Sequence, residues 1–195
     1  TKFRDVLDGL ANTIAAGEIA TDLGDDDVRT NALQATECRT DVDFAAENYH
    51  DPERPLYWNP ATVPDLSSDI SVGWTQRYGR GFRWHSGTEA NSGFKTILPP
   101  NSATCAFGTG DWFPDLNGGN YTASSRHQGG AHVLMVDGAV VFITDSIESG
   151  DRTAEQVSRR FTNPRSKPGQ KSPFGLWGAL GTRANKEQVE EQLNQ

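Results

Sequence analysis

The chain has 195 residues, enough for one domain with a substantial core, and its 26 acidic against 18 basic residues give a net charge of −8. No Lys/Arg-rich stripe interleaved with aromatics occurs, so nucleic acid and anionic membrane surfaces are poor partners. Twenty glycines, ten prolines and a hydrophobic share of 35% argue against a helical bundle and for a loop-rich, strand-bearing domain.

Phe3, Val6, Leu7 and Leu10 recur at helical spacing, which predicts a short amphipathic helix over residues 1–10. Residues 12–19, rich in small side chains, read as a strand. The stretch from 24 to 64 is acidic and then proline-punctuated, with one candidate helical segment at residues 28–33. Asp22, Asp25, Asp26 and Asp27 cluster four carboxylates in six positions, and hard oxygen donors on a loop are what calcium selects. Their spacing does not follow the EF-hand alternation, so a solvated acidic loop that favours a helix start is the reading preferred over a calcium site.

Residues 73–85 alternate aromatic with polar or glycine positions. Trp74, Tyr78, Phe82 and Trp84 can make a platform for a sugar ring, with Arg80, Arg83, His85 and Glu89 supplying polar contacts. Burial is the commoner use of large aromatics and is preferred here. Pro99-Pro100-Asn101 is a rigid break, and residues 111–119 form a turn-rich connection.

From 130 to 143 two apolar runs flank Asp137-Gly138, which predicts an antiparallel hairpin closed by a two-residue type I′ turn, with Gly138 at positive φ. In that register Leu134 faces Val141 and His132 faces Ile143, and both faces are apolar, so the hairpin is expected to be covered on both sides, by a helix on one and by a loop layer or a partner on the other. His132 then reads as a packed core residue. His127, beside Gly129-Gly130, is read as fixing the loop ahead of the hairpin through a backbone carbonyl or a carboxylate, in preference to binding a metal or moving a proton. Asp137 is read as a turn former. Thr153 with Gln156 signals a short helix, residues 163–173 are linker-like, and Asn185 with Gln188 is a weak cap. Serine-nucleophile, P-loop, H-E-x-x-H and dinucleotide motifs are absent, so no enzyme is expected.

His127 and Asp137-Gly138 together resemble the H-x9-DG signature of a prepilin-like bacterial family of unassigned function. Asp8-Gly9-Leu10-Ala11-Asn12-Thr13-Ile14-Ala15-Ala16-Gly17-Glu18 resembles its D-G-x-S-N-T-I-x-x-x-E element, with Ala11 in place of Ser. Trp177-Gly178-Ala179-Leu180-Gly181-Thr182-Arg183-Ala184 resembles its W-G-A-L-G-T-R-A element.

The resemblance implies a type IV pilin or type II secretion pseudopilin relative of α+β fold, in which an antiparallel sheet packs on an N-terminal helix whose anchoring part is missing here. It implies one extracytoplasmic domain over residues 1–195, with residues 21–120 as a loop-rich aromatic insertion. The expected function is assembly or surface attachment, with other pilin-like subunits or cell-surface components as partners, and a carbohydrate- or small-solute-binding module as the alternative. No cofactor is expected beyond the calcium weighed above. An oxidising compartment permits a bond between Cys38 and Cys105, with two buried thiols as the other arrangement.

Overall fold

The computed structural model describes residues 2–35, 37–39, 42–43, 49–62, 80–83, 85–107, 118–154 and 169–185. Two small sheets and short helical segments make an α+β arrangement. The first sheet has the order β1-β5-β6, with β1 at Ile14–Gly17, β5 at Gly130–Met135 and β6 at Val140–Thr144, all antiparallel. The second joins β2 (Leu33–Ala35), β3 (Cys105–Phe107) and β4 (Gly119–Asn120). Its β2–β3 pair is parallel, so the sheets are not uniformly antiparallel.

The hairpin forms one residue out of the predicted register. Gly130 pairs with Thr144, Ala131 with Ile143, His132 with Phe142, Val133 with Val141 and Leu134 with Val140. Met135 N donates to Ala139 O at 2.8 Å and Gly138 N to Met135 O at 3.0 Å, leaving a loop of Val136, Asp137 and Gly138. Gly138 has φ +95° whereas Asp137 is not in the left-handed region, so the turn is not type I′. A turn of ordinary hand followed by a glycine bulge is the three-residue solution for the same Asp-Gly pair. Asp137 still serves the turn: its Oδ1 accepts from Ala139 N at 2.9 Å.

Because side chains alternate, this slip decides what the hairpin buries. Ala131, Val133, Met135 and Ile143 enter one core with Ala123, Trp177 and Leu180. The last two stand on α2 (Gly175–Leu180), which follows the one-turn helix α1 (Glu89–Ser92) in chain order and covers that face. Glu148 positions this helix, its carboxylate accepting from Leu176 N at 2.6 Å and its carbonyl from Trp177 N at 3.0 Å. Trp177 in turn donates to Leu98 O at 2.8 Å and stacks on Phe94. The opposite face is open: Leu134, Val140 and Phe142 are 39%, 66% and 41% exposed. Within the chain the hairpin is therefore covered on one side, by a helix, and among the described residues no loop layer closes over Leu134, Val140 and Phe142 on the other.

The predicted N-terminal helix does not form. Two 3-10 turns, Phe3–Asp5 and Leu10–Asn12, flank an extended stretch, and Phe3 and Leu7 face solvent. So short a helix is marginal without a buried stripe, and Gly9 at φ +98° interrupts it. Hydrogen bonds hold the segment: Leu7 N donates to Arg183 O, and Asp8 Oδ2 accepts from Thr182 Oγ1 at 2.8 Å and Asn185 N at 3.1 Å. Leu10 O accepts from Asp137 N and Thr13 O from Val136 N, fastening the segment to the hairpin turn.

The helix expected at residues 28–33 is also replaced. Thr30 N and Asn31 N both donate to Asp27 O, closing one turn before β2 begins. Beneath it Val28, Leu33, Ala35, Cys38, Trp58, Ala103 and Cys105 form a second core, and Cys38 is disulfide-bonded to Cys105 across 67 positions. No helix among the described residues is long and apolar enough to cross a membrane. The helices expected from Thr153 and Asn185 fall mostly on residues outside those described.

Candidate functional site

Glu18 follows β1 and continues its ladder, with its N–H donating to His132 O at 3.0 Å and its carbonyl accepting from Ser124 N at 2.9 Å. This carries its carboxylate across to β5. There Oε2 accepts from His132 N at 2.8 Å and lies 3.3 Å from His132 Nδ1. Glu18 Oε1 lies 3.8 Å from His127 Nε2. The two imidazoles meet edge to face at 5.3 Å, and His132 continues to Phe142 at 5.0 Å. Burial pushes the Glu18 carboxyl upward, but the His132 N–H, the Ser125 hydroxyl and the His132 ring outweigh it and hold the group below the ordinary glutamate value.

The loop that presents His127 is fixed from several sides. Ser125 N donates to Asn101 Oδ1 at 2.8 Å, Ser125 O accepts from Arg29 at 2.8 Å, and His127 N donates to Ser125 Oγ at 3.2 Å. Gly130 is required where the loop joins β5, because any Cβ there collides with the Ile143 backbone and the Phe142 ring. His132 is half exposed, so it is not the core residue the sequence suggested; the shifted register moves it to the open face with Leu134 and Phe142.

The acidic loop lies beside this one, and its carboxylates are drawn to several different groups, with Arg126 shared between Asp25 and Asp27. Asp27 is fully buried and takes a bidentate pair from Arg29, whose Nη2 reaches Oδ2 at 2.6 Å. Arg126 approaches Asp27 at 3.5 Å and Asp25 at 3.7 Å. Asp26 accepts from Asn31 at 3.1 Å. Asp22 caps Gly24 N at 3.0 Å, and burial raises its carboxyl, reinforced by Asp25 and Asp26. Among the described residues, Glu18, His127 and His132 are the group of three potential metal-ligating side chains that converges; the four aspartates do not.

Of the aromatic platform, Trp74, Tyr78 and Trp84 lie outside the described residues. Phe82, Arg83 and His85 are exposed. Arg80 is buried and its guanidinium donates to Gly93 O at 2.6 Å, so it holds backbone in the interior; burial lowers its pKa to about 10. A cleft of about 600 Å³ opens elsewhere, between β1 and α2, with Ile14, Gly17, Phe94, Thr96 and Phe174 on its walls.

Sequence reasoning missed Glu18 as a site residue although it closes the first signature element, and it placed His132 wrongly by one step of register. The readable signal was the element itself: the final letter of one signature and the first letter of the next come together in space.

No curated protein and no solved structure matches the chain. The model of a bacterial family described as protein of unknown function (DUF1559) matches residues 1–150, which contain both the Asp8–Glu18 element and the H-x9-DG hairpin, and the chain belongs to that family.

Proposed function

We propose that this chain is the extracytoplasmic domain of a non-enzymatic, pilin-like subunit that works by assembly or surface attachment. One observation carries the reading most: the β1-β5-β6 sheet has a single covered face, and Leu134, Val140 and Phe142 stand together on the other, Leu134 and Val140 being register partners. Contiguous apolar side chains left open to solvent mark contact surfaces. The Cys38–Cys105 bond supports an oxidising location, since such bonds persist outside the reducing cytosol. The resemblance of three separated elements to prepilin-like proteins supplies the subunit role.

The test is cysteine cross-linking on intact source cells. Both native cysteines are paired, so Val140→Cys adds the one reactive thiol. Assembly through this face predicts a cross-linked dimer from Val140→Cys and none from a cysteine placed at the hairpin loop position Asp137. Monomer alone at both positions contradicts it.

A solute- or carbohydrate-binding module is the second reading, favoured by the cleft beside β1, whose volume falls within the usual range for small-molecule sites. A glycan array and a thermal-shift screen of small solutes test it; it predicts a hit that Phe94→Ala removes, and no hit contradicts it.

A further inference from the structure

We propose that Glu18, His127 and His132 form a binding site for a divalent first-row transition metal, represented by Zn²⁺. Each side chain offers one donor atom, and the three atoms lie within 4.8 Å of one another. A tetrahedral site with metal–ligand bonds of about 2.0–2.1 Å places its donors about 3.3 Å apart. Glu18 Oε2 lies 3.3 Å from His132 Nδ1 and Glu18 Oε1 lies 3.8 Å from His127 Nε2, so each imidazole faces its own oxygen of one carboxylate, and a modest turn of that carboxylate and of the exposed His127 ring brings one oxygen and both nitrogens to that spacing.

The donor set selects the class of ion. Two imidazole nitrogens and a carboxylate suit zinc and its neighbours, whereas calcium and magnesium take oxygen shells. The donors come from three separate backbone positions that are already fixed. The His132 N–H holds Glu18 Oε2 at 2.8 Å, orienting the carboxylate as outer-shell bonds do in metal sites. Ser125, held by Asn101 and Arg29, accepts from His127 N and sets the loop. The three side chains are 37% to 63% exposed, which leaves an approach for the ion and a remaining coordination position for water. Bound metal then clamps the loop ahead of the hairpin to the sheet. The site stands apart from the assembly reading, and its failure leaves that reading untouched.

Calorimetric titration of Zn²⁺ into chelator-stripped protein tests the proposal. It predicts one ion per chain, with Glu18→Gln, His127→Ala and His132→Gln each weakening binding at least about tenfold, the scale on which even outer-shell disturbance acts. His50→Gln, outside the cluster, should bind as the wild type does. Co²⁺ should give the intense visible absorption of tetrahedral coordination, lost in His127→Ala. Melting in chelator verifies that each variant folds, and if His132→Gln does not, the exposed His127 decides. Absence of binding, binding unchanged in His127→Ala, or an equal loss in His50→Gln overturns the site.

Discussion

At the residue scale the signature positions are structural in a specific way. Gly138 holds φ +95° with open space where a Cβ would stand, so a side chain there is resisted by backbone strain and not by packing. Gly138→Val is expected to cost about 1–2 kcal/mol, measured by chemical denaturation; an unchanged midpoint would contradict the bulge geometry. Glu18 gives a pH prediction. Its native carboxyl titrates below the ordinary value, so its stabilisation is full above an unfolded pKa of about 4.3 and is lost as pH falls through the lower native one. In chelator, Glu18→Gln should remove that part of the acid-side loss; identical acid limbs for the two proteins would contradict it. The Asp-Gly pair made the hairpin legible, but two turn geometries accept it, and the choice between them moves His132 to the other face. Glu18 was legible only as part of a pattern, because nothing local tells where a carboxylate after a strand will point.

Elements were legible where local chemistry settles them and illegible where distant groups do. Strand β1 and the hairpin follow from small and β-branched runs. The helical spacing of Phe3, Val6, Leu7 and Leu10 failed because Asp8 and Leu7 bond to residues 182–185, far along the chain, and no apolar surface receives the stripe. Helix α2 was missed for the converse reason: six residues carry little helical signal, and its start is satisfied by Glu148 from another segment. This helix nevertheless supplies the lid of the first core. Trp177 is fully buried and hydrogen-bonded, so Trp177→Ala is expected to cost about 3–5 kcal/mol, a large share of a typical domain's stability. A loss below about 1 kcal/mol in equilibrium unfolding would show that α2 does not hold the sheet.

Across the whole molecule the three signature elements converge. Asp8 meets Thr182, Leu10 and Thr13 meet the hairpin turn, and Glu18 meets His127, so residues from both ends and the middle are fastened around one sheet. A second sheet, pinned by Cys38–Cys105, comes from the stretch read as a loop-rich insertion, where paired strands of two or three residues leave little periodic trace. What this body presents outward is the apolar face of Leu134, Val140 and Phe142 beside the Glu18 cluster. The proposed role has such a body carried at the cell surface as a pilin-like subunit. Mass spectrometry of the mature protein's N-terminus, with membrane and soluble fractions of the source cell compared, tests it most directly. A pilin-like subunit should show a prepilin-type cleavage just ahead of an apolar segment of about 20 residues, long enough to span a bilayer, with the protein in the membrane or sheared surface fraction. A mature chain cut by an ordinary signal peptidase and recovered free of membrane would contradict it.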